Sequence, residues 1–249
     1  GETFVNRTPP QKEEETGIPA GFSINQVVPW GRGYEEYVRY FHLTGADLPL
    51  RIIDCGGGPS DFTAERHRQG LPGCSADPLY HFSREEIRRR IDETYPMVME
   101  QAHRYKDAFL WDDFASVEDL GRRRMATMDR FLEDFEPGKA AGRYVAGQLP
   151  TLPYAADRFD IALCSHYLFL YSEQADLETH WRGIEEMLRV APEARLFPLV
   201  TLRGERSPHL DPVLERAAAR GWTATVEPVP YEFQRGANEM LRLRRPLPA

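Results

Sequence analysis

The residues best suited to chemistry stand in four short stretches. In the first, Ile-Ile-Asp-Cys-Gly-Gly-Gly-Pro-Ser, an apolar run meets Asp54 and then Gly56, Gly57 and Gly58. Consecutive glycines at a strand end give up side-chain packing and backbone order. They gain a bare backbone that a ligand can approach, followed by the unpaired N–H groups of a helix start. A dinucleotide-phosphate turn of the G-x-G-x-x-G type fits poorly, because its third glycine would fall on Asp61. Asp54 is also a poor neighbour for a pyrophosphate and a good one for a cationic group. A second acid, Asp77, ends the next apolar run and is followed by Pro78. A carboxylate there can accept both hydroxyls of a ribose.

The second stretch, Cys-Ser-His-Tyr-Leu-Phe-Leu-Tyr over 164–171, brings Ser165, His166, Tyr167 and Tyr171 to the end of another apolar run. An imidazole, with its ordinary pKa near 6.5, can take a proton from an oxygen, nitrogen or sulfur acceptor. His166 reads equally as a structural histidine bonded to backbone, and the tyrosines as packing. The third, Val-Val-Pro-Trp-Gly-Arg-Gly-Tyr over 27–34, suits a lid in which Arg32 pairs with a carboxylate and Trp30 stacks on a ring or a sulfonium. A capped helix with a buried tryptophan is the plainer alternative. The fourth, Gln-Arg-Gly-Ala-Asn over 234–238, lets Gln234 and Asn238 reach a substrate or simply shape a turn.

Composition narrows the partners. The chain has 249 residues, 41% of them hydrophobic, and a net charge of −8, which suits one large domain. Arg-Arg-Arg occurs at 88–90 and at 122–124, each time among acids, and reads as a solvated helix face. Nucleic acid is therefore not an expected partner. No apolar run reaches the length of a membrane span, so no membrane partner is expected, and the N-terminus is polar and acidic. Cys55, Cys74 and Cys164 form no C-x-x-C pair and read as buried free thiols, from which a reducing cytoplasm is the default expectation. The histidines are scattered, and no metal cluster is expected.

The elements that must position these residues follow from periodicity. Residues 1–22 read as a flexible arm, and 23–249 as one domain. Tyr34, Tyr37, Val38 and Phe41 share a helical face. Leu-Arg-Ile-Ile-Asp is a strand, Ser60 caps a helix that stops at Gly70, and Gly-Cys-Ser-Ala-Asp is a second strand. Residues 81–142 then break the alternation with a helical insertion over the sheet. Ser83 to Glu86 is a capping box opening a helix that Pro96 interrupts, and a second helix over 116–135 carries Met125, Met128, Phe131, Leu132 and Phe135 as its apolar stripe. After it come strands in Gly-Arg-Tyr-Val, Phe-Asp-Ile-Ala-Leu and Ala-Arg-Leu-Phe, helices over 174–190 and 211–220, and a terminal hairpin about Gln-Arg-Gly-Ala-Asn. Alternating strands and helices make an α/β fold on a mostly parallel sheet.

A nucleoside with a cationic amino-acid tail is S-adenosylmethionine, and here the chain resembles the class I S-adenosylmethionine-dependent methyltransferases. Asp54, Gly56 and Gly58 resemble their D-x-G-x-G motif, and Ser-Ala-Asp-Pro their acidic second motif. Gln148-Leu149-Pro followed by Phe-Asp and an apolar strand is similar to their fourth-strand stretch, where Gln148 falls on a position often held by Asp near the adenine. The resemblance spans about residues 50–245, with Ser60 in place of a frequent last glycine and a longer insertion at 81–142. It implies a Rossmann-like seven-stranded sheet of order 3-2-1-4-5-7-6 with the seventh strand antiparallel. It also implies a cofactor site at Asp54, Gly56, Gly57, Gly58, Asp77, Pro78, Gln148, Leu149 and Ser165. Catalysis would fall to His166, Tyr167 or Tyr171, with Trp30, Arg32, Gln234 and Asn238 facing a small-molecule methyl acceptor, and S-adenosylhomocysteine as product. Two other readings stay open: a cofactor-binding regulatory protein without turnover, and another adenosyl-cofactor transferase on the same fold.

Overall fold

A computed structural model describes residues 21–248. Of the arm expected over 1–22, residues 1–20 lie outside the described residues. The centre of the fold is a seven-stranded sheet of order β3-β2-β1-β4-β5-β7-β6. Its strands are β1 (Ile52–Cys55), β2 (Gly73–Ala76), β3 (Tyr144–Val145), β4 (Ile161–Ser165), β5 (Glu193–Phe197), β6 (Thr223–Pro228) and β7 (Glu239–Arg244). Only β7 runs antiparallel to its neighbours. This is the strand order and direction that the sequence resemblance implies. Strands β1 and β4 are buried at every position, as their unbroken apolar runs require of parallel strands covered on both faces. They pair with Ile53 opposite Ala162, so the carboxyl ends of both strands open at the point where the strand order reverses.

Helices α1 (Tyr34–Tyr40), α2 (Phe62–Arg68), α3 (Arg84–Arg104), α4 (Val117–Ala140), α5 (Leu177–Val190) and α6 (Leu210–Ala219) cover the sheet. Local chemistry sets their limits. Ser83 and Glu86 exchange side-chain and backbone bonds at the start of α3. Ser116 and Asp176 accept from Asp119 N–H and Thr179 N–H at the starts of α4 and α5. Gly70 and Gly221, both at positive φ, end α2 and α6. The apolar faces close three clusters. One lies between the sheet, α5 and α6, one under α3 and α4, and one between α1, α2 and the sheet.

Three expectations are corrected. Pro96 does not interrupt α3: it lies within the helix on its exposed side, as Asp92 one turn earlier does. Residues 81–142 are not solely a cover, because α4 runs on to Ala140 and packs Phe131 and Phe135 against Tyr80 and Tyr144 at the sheet edge. Its second half is the crossover from β2 to β3. The hairpin is not tight either. Between β6 and β7, residues 229–238 make an excursion in which Leu110 N–H donates to Phe233 O at 2.7 Å and Arg235 N–H to Ala108 O at 3.0 Å. The terminal strands and the α3–α4 linker are thus laced together.

Candidate functional site

The glycine turn is fastened to the end of β2. Gly56 N–H donates to Ala76 O at 2.7 Å, and Gly56 and Gly58 have φ of 84° and 54°. Asp77 accepts from Gly58 N–H at 2.9 Å with one oxygen and from Leu79 N–H at 2.8 Å with the other. The buried Tyr80 hydroxyl donates to Gly58 O at 2.7 Å. Gly57 is required sterically: a Cβ there would lie 2.1 Å from Ser75 Oγ and 2.6 Å from Asp54 Oδ2. Asp54 is therefore directly behind the turn, buried and hydrogen-bonded to the Tyr37 hydroxyl. Burial and the Asp54 charge hold that hydroxyl protonated, its pKa well above the usual phenol range.

A loop presses down on this turn from the N-terminal side. Ser60 Oγ donates to Arg32 O at 2.6 Å and accepts from Phe62 N–H at 3.1 Å. Asp61, which stands where a third glycine would, accepts from Tyr34 N–H at 2.8 Å and from Arg130 Nε at 2.7 Å. A Cβ on Gly31 would meet Pro59 O at 2.5 Å, so Trp30-Gly31-Arg32 lies flat on the loop after the glycines. Below it is a cleft of about 20 Å³ floored by Gly56 and Gly57 and walled by Tyr37, Ser165, His166 and Tyr171.

Trp30, Arg32 and His166 also border a second, larger cavity of about 260 Å³. Its walls are aromatic. Tyr40 stacks on Phe197 at 4.7 Å and meets Tyr231 edge-on at 4.6 Å, and Phe109 stacks on Phe233 at 4.6 Å. His166 is held at the junction from several sides. Its φ is 56°, its N–H donates to Phe197 O at 2.7 Å, and its Nδ1 is 2.5 Å from Ser165 Oγ. Phe169, on the same loop, has a φ of 70°, and its N–H donates to Nε2 of the buried His180 at 2.9 Å. Positive φ at two non-glycine residues persists only where surrounding contacts over-determine it, and such sites cluster at functional loops.

Behind the large cavity lies a buried carboxylate. Glu36 is paired bidentately with Arg124 of α4 and accepts from the hydroxyls of Tyr231 at 2.7 Å and Tyr40 at 3.2 Å and from Gly33 N–H at 3.0 Å. Burial works to raise the Glu36 pKa, but Arg124 and these donors outweigh it and hold it down at about 2. Sequence reasoning missed this group. Arg124 was expected on a solvated face, yet it is 3% exposed while Arg122 and Arg123 are at the surface. The signal was present, because Arg124 continues the Met128–Phe131 stripe one turn toward the N-terminus.

Of the predicted site residues, the structure gathers Gly56, Gly57, Ser165, His166, Tyr171, Trp30 and Arg32 about the small cleft. Gln234 lines the large cavity with its amide donating to Thr201 O at 3.0 Å. Gly58, Asp77 and Pro78 lie beneath the turn. Gln148 is in a bridge with Thr151, Leu149 is in the core, and Tyr167 packs at the edge of two clusters; none of the three borders the cleft. Asn238 borders neither space. Its amide donates to Glu232 Oε1 at 2.7 Å and fixes the 229–238 excursion. The three cysteines are buried and form no disulfide among the described residues, in which no helix is long and apolar enough to cross a membrane.

No protein-family model matches the chain. A Methanocaldococcus jannaschii protein, Uncharacterized protein MJ0045, is 34% identical over 225 residues, which span 90% of this chain and 98% of that one. Among solved structures, the magnesium protoporphyrin IX methyltransferase ChlM of Synechocystis PCC 6803 with bound SAM is 11% identical, with a TM-score of 0.45 over 86% of this chain and 78% of that one. The mitomycin 7-O-methyltransferase MmcR is 13% identical, with a TM-score of 0.46 over 86% of this chain and 54% of that one. At such identity the likeness is one of fold.

Proposed function

We propose that this chain, which belongs to one family with the Methanocaldococcus jannaschii protein MJ0045, is an S-adenosylmethionine-dependent methyltransferase acting on a small-molecule acceptor. One observation carries the reading. A bare-backbone cleft at the strand-order reversal shares Trp30, Arg32 and His166 with an adjoining, partly open aromatic cavity. The backbone of Gly56 and Gly57 floors the cleft, which fits a ligand pressed on the glycines, while Ser75 and Asp54 pack behind Gly57 and leave it no room for a Cβ. Asp77, at the end of β2 and bonded to the turn, is the carboxylate that the resemblance assigns to the ribose hydroxyls. The Arg32 guanidinium, half-buried and with no acidic partner among the described residues, suits the carboxylate of an amino-acid tail.

When bound, the cofactor supplies a methyl group on a sulfonium, which is already an activated leaving group. The chain then has to align, exclude water and manage one proton. Trp30 and Tyr171 close the cleft against water. If Nδ1 of His166 donates to Ser165 Oγ, Nε2 is the basic nitrogen and would take the acceptor's proton during transfer. A cleft of about 20 Å³ is far below the roughly 300–1,000 Å³ of ligand pockets, so the 27–33 segment must lift for the cofactor to enter.

Titration of the full chain with S-adenosylhomocysteine by calorimetry tests the cofactor. Binding is expected, and it should be lost in Gly57→Ala. Binding unchanged in a folded Gly57→Ala protein would sink the assignment, and tighter binding of decarboxylated S-adenosylmethionine would favour an aminopropyl-type transferase. His166→Asn should keep cofactor affinity and lose roughly 10²–10⁴-fold in turnover, followed as S-adenosylhomocysteine release.

A further inference from the structure

The larger cavity carries information about what is methylated, on the premise that the chain is a methyltransferase. Its volume of about 260 Å³ exceeds the roughly 150 Å³ that accommodates benzene in a protein core. That is room for two fused rings or one substituted ring, and not for a polymer. Its walls present ring faces and edges from Trp30, Tyr40, Tyr231 and Phe233. Such walls favour a flat, apolar body over a sugar or an aliphatic amino acid.

The charges around it have one sign. Arg32, Arg124 and Arg203 border the cavity, and among the described residues no aspartate or glutamate does. Arg32 is spoken for by the cofactor's carboxylate in the reading above. Arg124 is neutralised by Glu36, but its buried Nε–H meets no acceptor among the described residues, a cost that a ligand oxygen would relieve. Arg203 stands on the exposed side and pairs only with Glu173, itself more than half exposed, at 3.2 Å. A surface pair of that kind is worth little and is readily exchanged for another anion.

We propose that the methyl acceptor is an aromatic acid of one or two rings, its ring body among Trp30, Tyr40, Tyr231 and Phe233 and its anionic group on Arg203. Its nucleophilic atom would then point through the junction at His166. A cationic amine would meet Arg203 with no carboxylate on the cavity wall among the described residues, and is disfavoured.

The test uses the full chain saturated with S-adenosylhomocysteine and three probes of one shape: indole-3-acetate, indole-3-acetamide and tryptamine. Calorimetry should rank the acid first, the amide roughly tenfold weaker and tryptamine weakest. Arg203→Gln should weaken the acid roughly fivefold and leave the amide unchanged. Equal affinity of acid and amide, preference for tryptamine, no binding of any probe, or an Arg203→Gln protein that still prefers the acid as strongly would each overturn the proposal. Failure of S-adenosylhomocysteine itself to bind would instead overturn the methyltransferase reading, so the two failures are distinguishable.

Discussion

The glycine turn and the aromatic cavity lie on either side of His166, and they are built in opposite ways. The turn uses two short stretches, 54–61 and 75–80, and its groups are tied by local bonds of 2.7–2.9 Å from Ala76, Asp77 and Tyr80. The cavity draws on α1, the α3–α4 linker, α4, the ends of β4 and β5, and the 229–238 excursion. Those segments meet about one carboxylate, Glu36, whose donors come from residues 33, 40, 124 and 231. A site made from neighbours in sequence is set as soon as its strands pair. A site made from distant segments depends on whatever joins them. The cofactor half should therefore tolerate change around it, and the cavity half should fail as a unit.

Removing Arg124 breaks that comparison most severely. Arg124→Met leaves Glu36 buried with only hydroxyl and amide donors. Breaking a buried ion pair from one side costs about 3–5 kcal/mol, or roughly a 10 °C fall in Tm for a chain of this size. The double variant Glu36→Leu/Arg124→Met should regain much of the loss, since no uncompensated charge remains. Denaturant unfolding of the three proteins measures both. A loss under about 1 kcal/mol in the single variant would mean that Glu36 does not organise the cavity.

The same contrast explains what could be read from the sequence. Asp54 and the glycines are legible because their requirement is local: a strand, a turn without side chains, a helix start. The strand order follows from alternation and the family resemblance together. The cavity is not legible, because Arg124 sits in a run of three arginines and only packing against α1 separates it from its neighbours. The buried Arg66 and Arg195 were hidden for the same reason. Arg66 donates to the carbonyls of Leu48, Leu50 and Pro72, and Arg195 meets Asp47 and Glu193, partners that no periodicity names. The 229–238 excursion reads as a hairpin until its partner, the 108–110 backbone, is known.

Acid should separate the two halves in sequence. His180 supports the loop that carries His166: its Nε2 accepts from Phe169 N–H and its Nδ1 faces Asp176 O at 2.8 Å, with His209 at 4.6 Å between ring centres. Burial, with His209 adding to it, holds its pKa down at about 4 against an ordinary 6.5. Below pH 6.5 the unfolded chain takes up a proton that the folded chain refuses until about pH 4. This contribution is thus complete above 6.5 and is lost, on the order of 3 kcal/mol in all, as pH falls toward 4. Glu36 acts later: its support is full above its ordinary 4.5 and is lost as pH falls toward 2. Tm measured against pH should show the first decline in wild type and lack it in His180→Gln. The same slope in both proteins would remove His180 from the account.

Ser165 offers the smallest effect and the sharpest boundary between the halves. It ends β4, it is buried, and its Oγ is 2.5 Å from His166 Nδ1. If His166 is the base, Ser165 acts through it by holding the proton on Nδ1 and leaving Nε2 basic. Ser165→Ala removes one neutral hydrogen bond, worth about 0.5–1.5 kcal/mol, or roughly twofold to tenfold in rate. The loss should appear in kcat and in the acid limb of the pH profile, because the imidazole tautomer and basicity are what change. KM for the acceptor should stay within about twofold, since Ser165 borders the cofactor cleft and not the aromatic walls. A structural role alone would lower Tm without moving the pH profile. A rise in KM with kcat unchanged would place the hydroxyl on the acceptor and take the proton away from His166. Ser165→Thr keeps the hydroxyl, so it should restore the profile where Ser165→Ala does not.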